Sequence, residues 1–200
     1  MVNMPLKQWV EMALSVRDYA LNAPSWLDRS RFDLDARLPA GKPSDEKARA
    51  EMMKALLIER FGLKWHEERR LVSGYELVAA EKILVKASDP AEGGRSSSGP
   101  ALIDGTDMPM SELAGALGEV LRKPVVDATH LSGGYDIKLR WRPFDEAAAA
   151  DAKGRGMMDV DNLPSIFTAV REQLGLRLRS AKVPLNVIVV DRINGQPTEN

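Results

Sequence analysis

One pattern is written twice along this chain, and it limits the folds available more than any other feature. Tyr135, Ile137, Leu139 and Trp141 alternate with Asp136, Lys138, Arg140 and Arg142, the period-two signature of a half-buried strand. Residues 32–38 do the same, with Phe32, Leu34, Ala36 and Leu38 opposite Asp33, Asp35 and Arg37, so FDLDAR aligns with YDIKLR. Upstream of each lies a helical pattern opened by proline, the residue whose missing N–H costs nothing in a first turn. One follows Pro5 with Leu6, Trp9, Val10, Ala13 and Leu14; the other follows Pro109 with Met110, Leu113, Ala114, Leu117 and Val120. Downstream, ERFGLK (59–64) matches EQLGLR (172–177), each closing a helix and entering a strand through glycine.

The spacing supports a copied unit. Leu6 and Met110 are 104 residues apart and Phe32 and Tyr135 are 103 apart, whereas Phe61 and Leu174 are 113 apart. The excess is close to the length of AAAADAKGRG (147–156), which reads as an insertion in the second copy. The expected fold is α+β and internally duplicated, two similar halves each with two helices packed on a small, mainly antiparallel sheet. Each half reads helix, strand, helix, strand, strand. The second helix of the first half is expected over about 45–61 with Ser44 as N-cap, and its counterpart starts from Asp161 or Asn162 with Ile166, Phe167, Val170 and Leu174 inward. YELVAA (75–80) reads as a final strand, and PLNVIVVD (184–191), nearly continuous in apolar residues, as a central one covered on both faces. The halves are expected over residues 1–88 and 108–193. A mobile Gly/Ser/Pro-rich connector (89–107) joins them, and 194–200 form a polar tail.

Charge and composition remove several function classes. With 44% hydrophobic and 28% charged residues the chain can build a packed core. Lys and Arg total 28 against 29 Asp and Glu, so no broad positive field exists to attract phosphate backbones, and nucleic acid is not expected as a partner. The absence of cysteine rules out disulfides and thiolate metal sites. No stretch approaches the roughly 18 apolar residues of a membrane span, and MVNMPLKQWVEMAL lacks the uninterrupted block of an export signal.

The polar motifs read as structure before chemistry. In DATHLSGG (127–134), Asp127, Thr129 and Ser132 suit Asx and Ser/Thr turns, and Gly133 or Gly134 suits a positive φ, so this segment is expected to turn the chain into the strand at Tyr135 and Asp136. His66 follows Leu63 and Trp65 on the polar face of a strand, where its titration near neutrality suits a pH-sensitive contact. A zinc-peptidase helix would need a second histidine where Arg70 stands. DVDN (159–162) is followed by Pro164 where a calcium loop needs glycine, and neither AGKPS (40–44) nor GRGMMD (154–159) has the spacing of a phosphate or dinucleotide loop. No catalytic, cofactor-binding or metal-binding residue is expected. His66, Asp127, Thr129, His130, Gly133, Tyr135 and Asp136 are the candidate interaction or turn positions. Trp9, Trp26, Trp65 and Trp141 are read mainly as core, and EERR (67–70) and RLRSAK (177–182) as charged strand faces.

Across nearly its whole length the chain resembles the soil-associated proteins of unknown function abundant in acidobacteria. The residues that carry this are Pro24-Ser25-Trp26 with Phe32-Asp33; Arg60-Phe61-Gly62-Leu63 with His66; Pro124 to Asp127 followed by Thr129, Leu131, Gly133 and Tyr135-Asp136; and Gln173-Leu174-Gly175-Leu176. His130 stands where the family usually has glycine, so a glycine-specific backbone is not expected there. The resemblance implies an extracytoplasmic protein whose leader and first strand lie upstream of Met1, and it transfers no catalytic residue. The expected role is a non-enzymatic envelope or secreted module that binds protein or peptide at a sheet edge or in a groove between halves. The alternatives are a sensory domain working with a membrane metallopeptidase, and a hydrolase using His66 or His130 with Asp136.

Overall fold

Proline leads the chain into its first helix. The computed structural model describes residues 3–34, 45–89 and 94–198. In it Met4–Pro5 (β1) runs directly into Leu6–Leu14 (α1), which buries Leu6, Trp9, Val10 and Ala13, the face its periodicity marks. Leu21–Asn22 (β2) and Arg31–Phe32 (β3) follow, and β3 pairs antiparallel with β1, Met4 opposite Phe32. Of the strand expected over 32–38 only Phe32 lies in a strand, Asp33 and Leu34 do not, and residues 35–38 lie outside the described residues. Glu46–Phe61 (α2) is capped by Asp45, whose carboxylate accepts from the Ala48 N–H at 2.7 Å, rather than by Ser44, which is outside the described residues. It ends on Gly62 at φ 61°, the left-handed closure expected from its sequence.

Two features of the next stretch differ from expectation. LKWHEERR and YELVAA are parts of one strand, Lys64–Ala79 (β4), because no residue between them breaks extended backbone and Gly74 serves as a point of close approach. The connector, expected to be mobile, contributes strands. After Lys86–Ala87 (β5), Arg95–Ser98 (β6) and Leu102–Pro109 (β7) form an antiparallel pair closed by a Gly99 N–H to Leu102 carbonyl bond of 2.8 Å. Alternation at Ala101, Ile103 and Gly105 outweighs the loop-like composition, since Ala101 and Ile103 are fully buried.

Met110–Leu121 (α3) then leads to Val125–Asp127 (β8) and Gly134–Arg140 (β9). The segment read as an insertion is the helix Glu146–Gly154 (α4), capped by Asp145, which accepts from the Ala148 N–H. Ile166–Leu174 (α5) is capped by Ser165 rather than by Asp161 or Asn162, which lie in a short 3-10 turn. Of its four expected inward residues, Phe167 is 41% exposed. Leu176–Arg192 (β10) completes the chain with Val187, Ile188 and Val190 buried, as expected of a strand covered on both faces.

Two compact units result. One is built from Met1–Arg70 and Pro184–Asn200, the other from Leu71–Val183, a cut different from the halves 1–88 and 108–193. It falls inside β4 and inside β10. In the first unit Trp9 and Phe61 flank Phe32 in edge-to-face contacts at 6.3 and 5.2 Å, and Leu57, Leu63, Ile188, Val190 and Ile193 complete the core. Here β2 pairs with β10 in parallel, Leu21 opposite Ile188. In the second unit Leu77, Ile103, Leu113, Leu117, Ile137, Leu139 and Trp141 pack against Ile166, Val170 and Leu174 of α5. Its four-stranded sheet has the order β5-β9-β7-β6 and is antiparallel, but β8 runs parallel to β4. The structure is therefore mixed α+β, with parallel pairs where antiparallel ones were expected. The strand patterns at Phe32 and Tyr135 also have different surroundings among the described residues: β3 pairs with β1, whereas β9 lies between β5 and β7.

Gly74 shows how tightly β8 is seated. A Cβ at this position would overlap the Pro124 carbonyl oxygen and lie 2.8 Å from Val183 Cγ2, while the Tyr75 N–H donates to that same carbonyl at 2.9 Å. Gly74→Ala is expected to destabilise the protein by about 1–3 kcal/mol, the usual cost of forcing a methyl into filled space. Urea unfolding measures it, and an unchanged midpoint would contradict this account of the approach.

Candidate functional site

The turn before β9 is assembled from its own polar side chains. Asp127 Oδ1 accepts from the Thr129 N–H at 2.9 Å and from the Thr129 hydroxyl at 2.7 Å, and Thr129 Oγ1 in turn accepts from the Leu131 N–H at 3.2 Å. Thr129 is buried, so each of these bonds satisfies a group that would otherwise be costly to hide. Gly133 takes φ 92° and the Tyr135 hydroxyl donates to the Ser132 carbonyl at 3.1 Å. Asp136 accepts from Ser88 Oγ at 2.5 Å, and Ser88 Oγ accepts from the Asp107 N–H at 2.9 Å, so these three residues tie β5, β7 and β9 together. The turn thus sets the path of the chain into β9.

His130 is exposed, with φ 59°. A left-handed backbone is therefore present although glycine is not, a correction to the expectation drawn from the histidine. Turn geometry is imposed by the Asp127–Thr129 bonds on one side and Gly133 on the other, and His130 adopts the conformation between them at some steric cost. Gln173 is likewise structural. Its amide accepts from the Arg140 N–H at 2.9 Å and donates to the Arg140 carbonyl at 2.8 Å, pairing with the end of β9 as a strand would.

His66 sits on the polar face of β4, in the first unit, between two carboxylates. Nδ1 is 2.8 Å from Asp191 Oδ1 and Nε2 is 2.9 Å from Glu68 Oε1, while Arg70 Nε donates to the other oxygen of Glu68 at 2.5 Å. Both ring nitrogens can donate only in the imidazolium form. The Glu68 bond, and then the Asp191 bond, therefore raise the His66 pKa above its ordinary value. Glu68 is held below the usual carboxylate range, by Arg70 first and His66 second. Each nitrogen faces a different carboxylate, so the two acids cannot join the imidazole around one metal ion. The carboxylate partners of His66 are Asp191 and Glu68, whereas Asp136, in the second unit, is engaged by Ser88.

A different kind of site lies in the second unit at β6, within the segment that composition marks as a linker. All four of its side chains are exposed, it is paired on one side with β7 from Arg95 opposite Thr106 to Ser98 opposite Ile103, and it ends the strand order. Among the described residues its outer side has no strand beside it. Sequence reading missed this edge because Arg-Ser-Ser-Ser lacks alternation; the one available signal was the buried-strand pattern of its partner, which needs neighbours.

Together these features define a mixed α+β protein with a structurally occupied turn, a surface imidazole and an open sheet edge. Among the described residues no helix is long and apolar enough to cross a membrane. Residues 7–193 match the model of a family described as protein of unknown function, DUF3738, and the chain belongs to that family. No curated protein and no solved structure matches it.

Two measurements check the turn and the imidazole. His130→Gly is expected to leave stability unchanged or raise it by up to about 1 kcal/mol, since relief of the left-handed strain is partly offset by glycine's freedom in the unfolded chain; a clear drop in the unfolding midpoint would mean that the imidazole makes a necessary contact. For His66, the raised folded-state pKa means that the stabilisation linked to its protonation is fully present below the ordinary value of 6.5 and is lost as pH rises through the folded value. Proton NMR titration should place His66 above 6.5, and Glu68→Gln should lower it more than Asp191→Asn does.

Proposed function

We propose that this protein is a non-enzymatic interaction module that binds an extended protein or peptide segment by strand addition at β6. One observation carries the reading: β6 is a fully formed four-residue strand with all its side chains exposed and one side paired. Such an edge offers a row of N–H and C=O groups at strand spacing, which an incoming segment satisfies without rearranging the sheet. The hydrogen bonds made by Asp127, Thr129, Tyr135 and Asp136 support the same reading, because they give these side chains a folding role. On this reading the protein works in the envelope or outside the cell, as a soil-associated acidobacterial member of its family, and the doubled sequence pattern is the trace of an internal duplication.

Strand addition is tested by capture from an envelope extract of a source organism, followed by crosslinking and hydrogen exchange on the complex. A partner whose crosslinks fall at Arg95–Ser98, and whose binding slows exchange of the β6 amides, is expected. Partners that bind while leaving those amides unchanged would refute strand addition.

A further inference from the structure

The second unit also carries an open depression of about 500 Å³, lined by Ala80, Glu81, Lys82, Leu84, Arg171 and Arg177. Its volume is in the range of small-ligand and peptide side-chain sites, roughly 300–1,000 Å³. Three cations face one carboxylate, an imbalance that the near-neutral composition of the whole chain does not foreshadow. Backbone contacts fix its wall. Ala80 N–H donates to the Gly175 carbonyl at 3.0 Å and Leu84 N–H to the Leu174 carbonyl at 3.1 Å, so the segment 80–84 is clamped at both ends against the close of α5. Gly175, at φ 66°, lies so near that a Cβ there would overlap the Lys82 carbonyl oxygen and stand 2.7 Å from Leu84 N and 2.9 Å from Ile83 Cα.

Helix polarity explains one of these charges. Arg171 belongs to the last turn of α5, where a cation complements the carbonyl ends. Lys82 and Arg177 come from the clamped loop and from β10, and among the described residues neither has an ion-pair partner. Among the described residues Arg171 pairs with Glu172, its sequence neighbour, at 3.5 Å with both side chains more than half exposed, a pairing that a ligand carboxylate can replace. Leu84 lines the depression with the cations and is 44% exposed, and its loop neighbour Ile83 is 41% exposed. An exposed apolar side chain on a backbone-anchored loop, sharing one lining with two guanidinium forks, favours a ligand that is both anionic and apolar.

We propose that this depression binds an acidic peptide segment in which carboxylates alternate with an apolar side chain. The carboxylates engage Arg171 and Arg177 through paired N–H donors, Lys82 adds a third positive charge, and the apolar side chain rests on Leu84. A bare phosphate would satisfy the cations and leave the apolar surface exposed. This site stands apart from β6 in the residues it uses and does not rest on strand addition.

Fluorescence anisotropy tests it with a labelled hexapeptide of four glutamates and two leucines, added to the full chain at low ionic strength. Saturable binding is expected, weakened by at least about tenfold when glutamine replaces glutamate in the peptide and by the same factor in Arg171→Glu, Arg177→Glu and Lys82→Glu. Lys82→Glu and Arg177→Glu, at exposed positions, should leave the thermal midpoint unchanged, Arg171→Glu should lower it slightly because it sets an anion against the carbonyl ends of α5, and the glutamine peptide on unaltered protein keeps the outcome independent of any variant's folding. No binding at millimolar protein, equal affinity for the glutamine peptide, insensitivity to the charge reversals, or complete displacement by an equal concentration of inorganic phosphate would each overturn the proposal. None of those results bears on exchange protection at β6, so the two sites fail separately.

Discussion

The backbone ladder of two long strands, Lys64–Ala79 and Leu176–Arg192, is the constraint on which the remaining elements depend. The two are neighbours in the strand order, with β2 attached to β10 and β8 attached to β4. Each is entered from a helix through a left-handed glycine, Gly62 or Gly175, so the direction of α2 and α5 against the sheet is set where the strand begins. Side chains reinforce the ladder on its polar face. Arg179 reaches Glu76 at 2.5 Å and Lys182 reaches Ser73 at 2.7 Å, partners whose numbers rise on one strand as they fall on the other, as antiparallel neighbours must. Exposed pairs of this kind add little energy each, and hydrophobic burial on the opposite face supplies most of the stabilisation.

Polar side chains that resemble catalytic groups are used here to control backbone direction. Asp127 and Thr129 occupy donors that a bend leaves open, and Ser88 joins Asp136 to the Asp107 backbone. A group committed to such bonds is poorly placed to act on a substrate. Lys82 and Arg177 are not committed in this way and share the lining of one depression with Leu84, and β6 has no strand on its outer side among the described residues. Both proposed binding sites therefore rest on groups that the fold leaves unsatisfied.

Much of the local structure could be read from the chain because local rules decide it. The two proline-led helices, the glycine closures at 62 and 175, the half-buried strand at Tyr135 and the turn chemistry of Asp127 to Gly133 depend on residues within a few positions of one another. Misreadings arose where a local signal was weak or met a competitor. Asp45 and Ser165 cap helices for which Ser44 and Asp161 or Asn162 were equally suitable by type, and the choice depends on where the helix axis must point. Residues 95–98 lack an apolar face and become a strand only because Leu102–Pro109 supplies a ladder.

Class and local periodicity were determined by sequence alone: an α+β protein without cysteine, with near-balanced charge and with His66 on the polar face of a strand. Tertiary structure decided which strands became neighbours, that β4 and β10 run on as single long strands, and that Lys82, Arg171 and Arg177 line one depression. The physical reason is distance along the chain. Periodicity and turn preference act over a few residues, whereas the bond between His66 and Asp191 and the seating of segment 80–84 against Gly175 depend on packing between segments far apart in sequence.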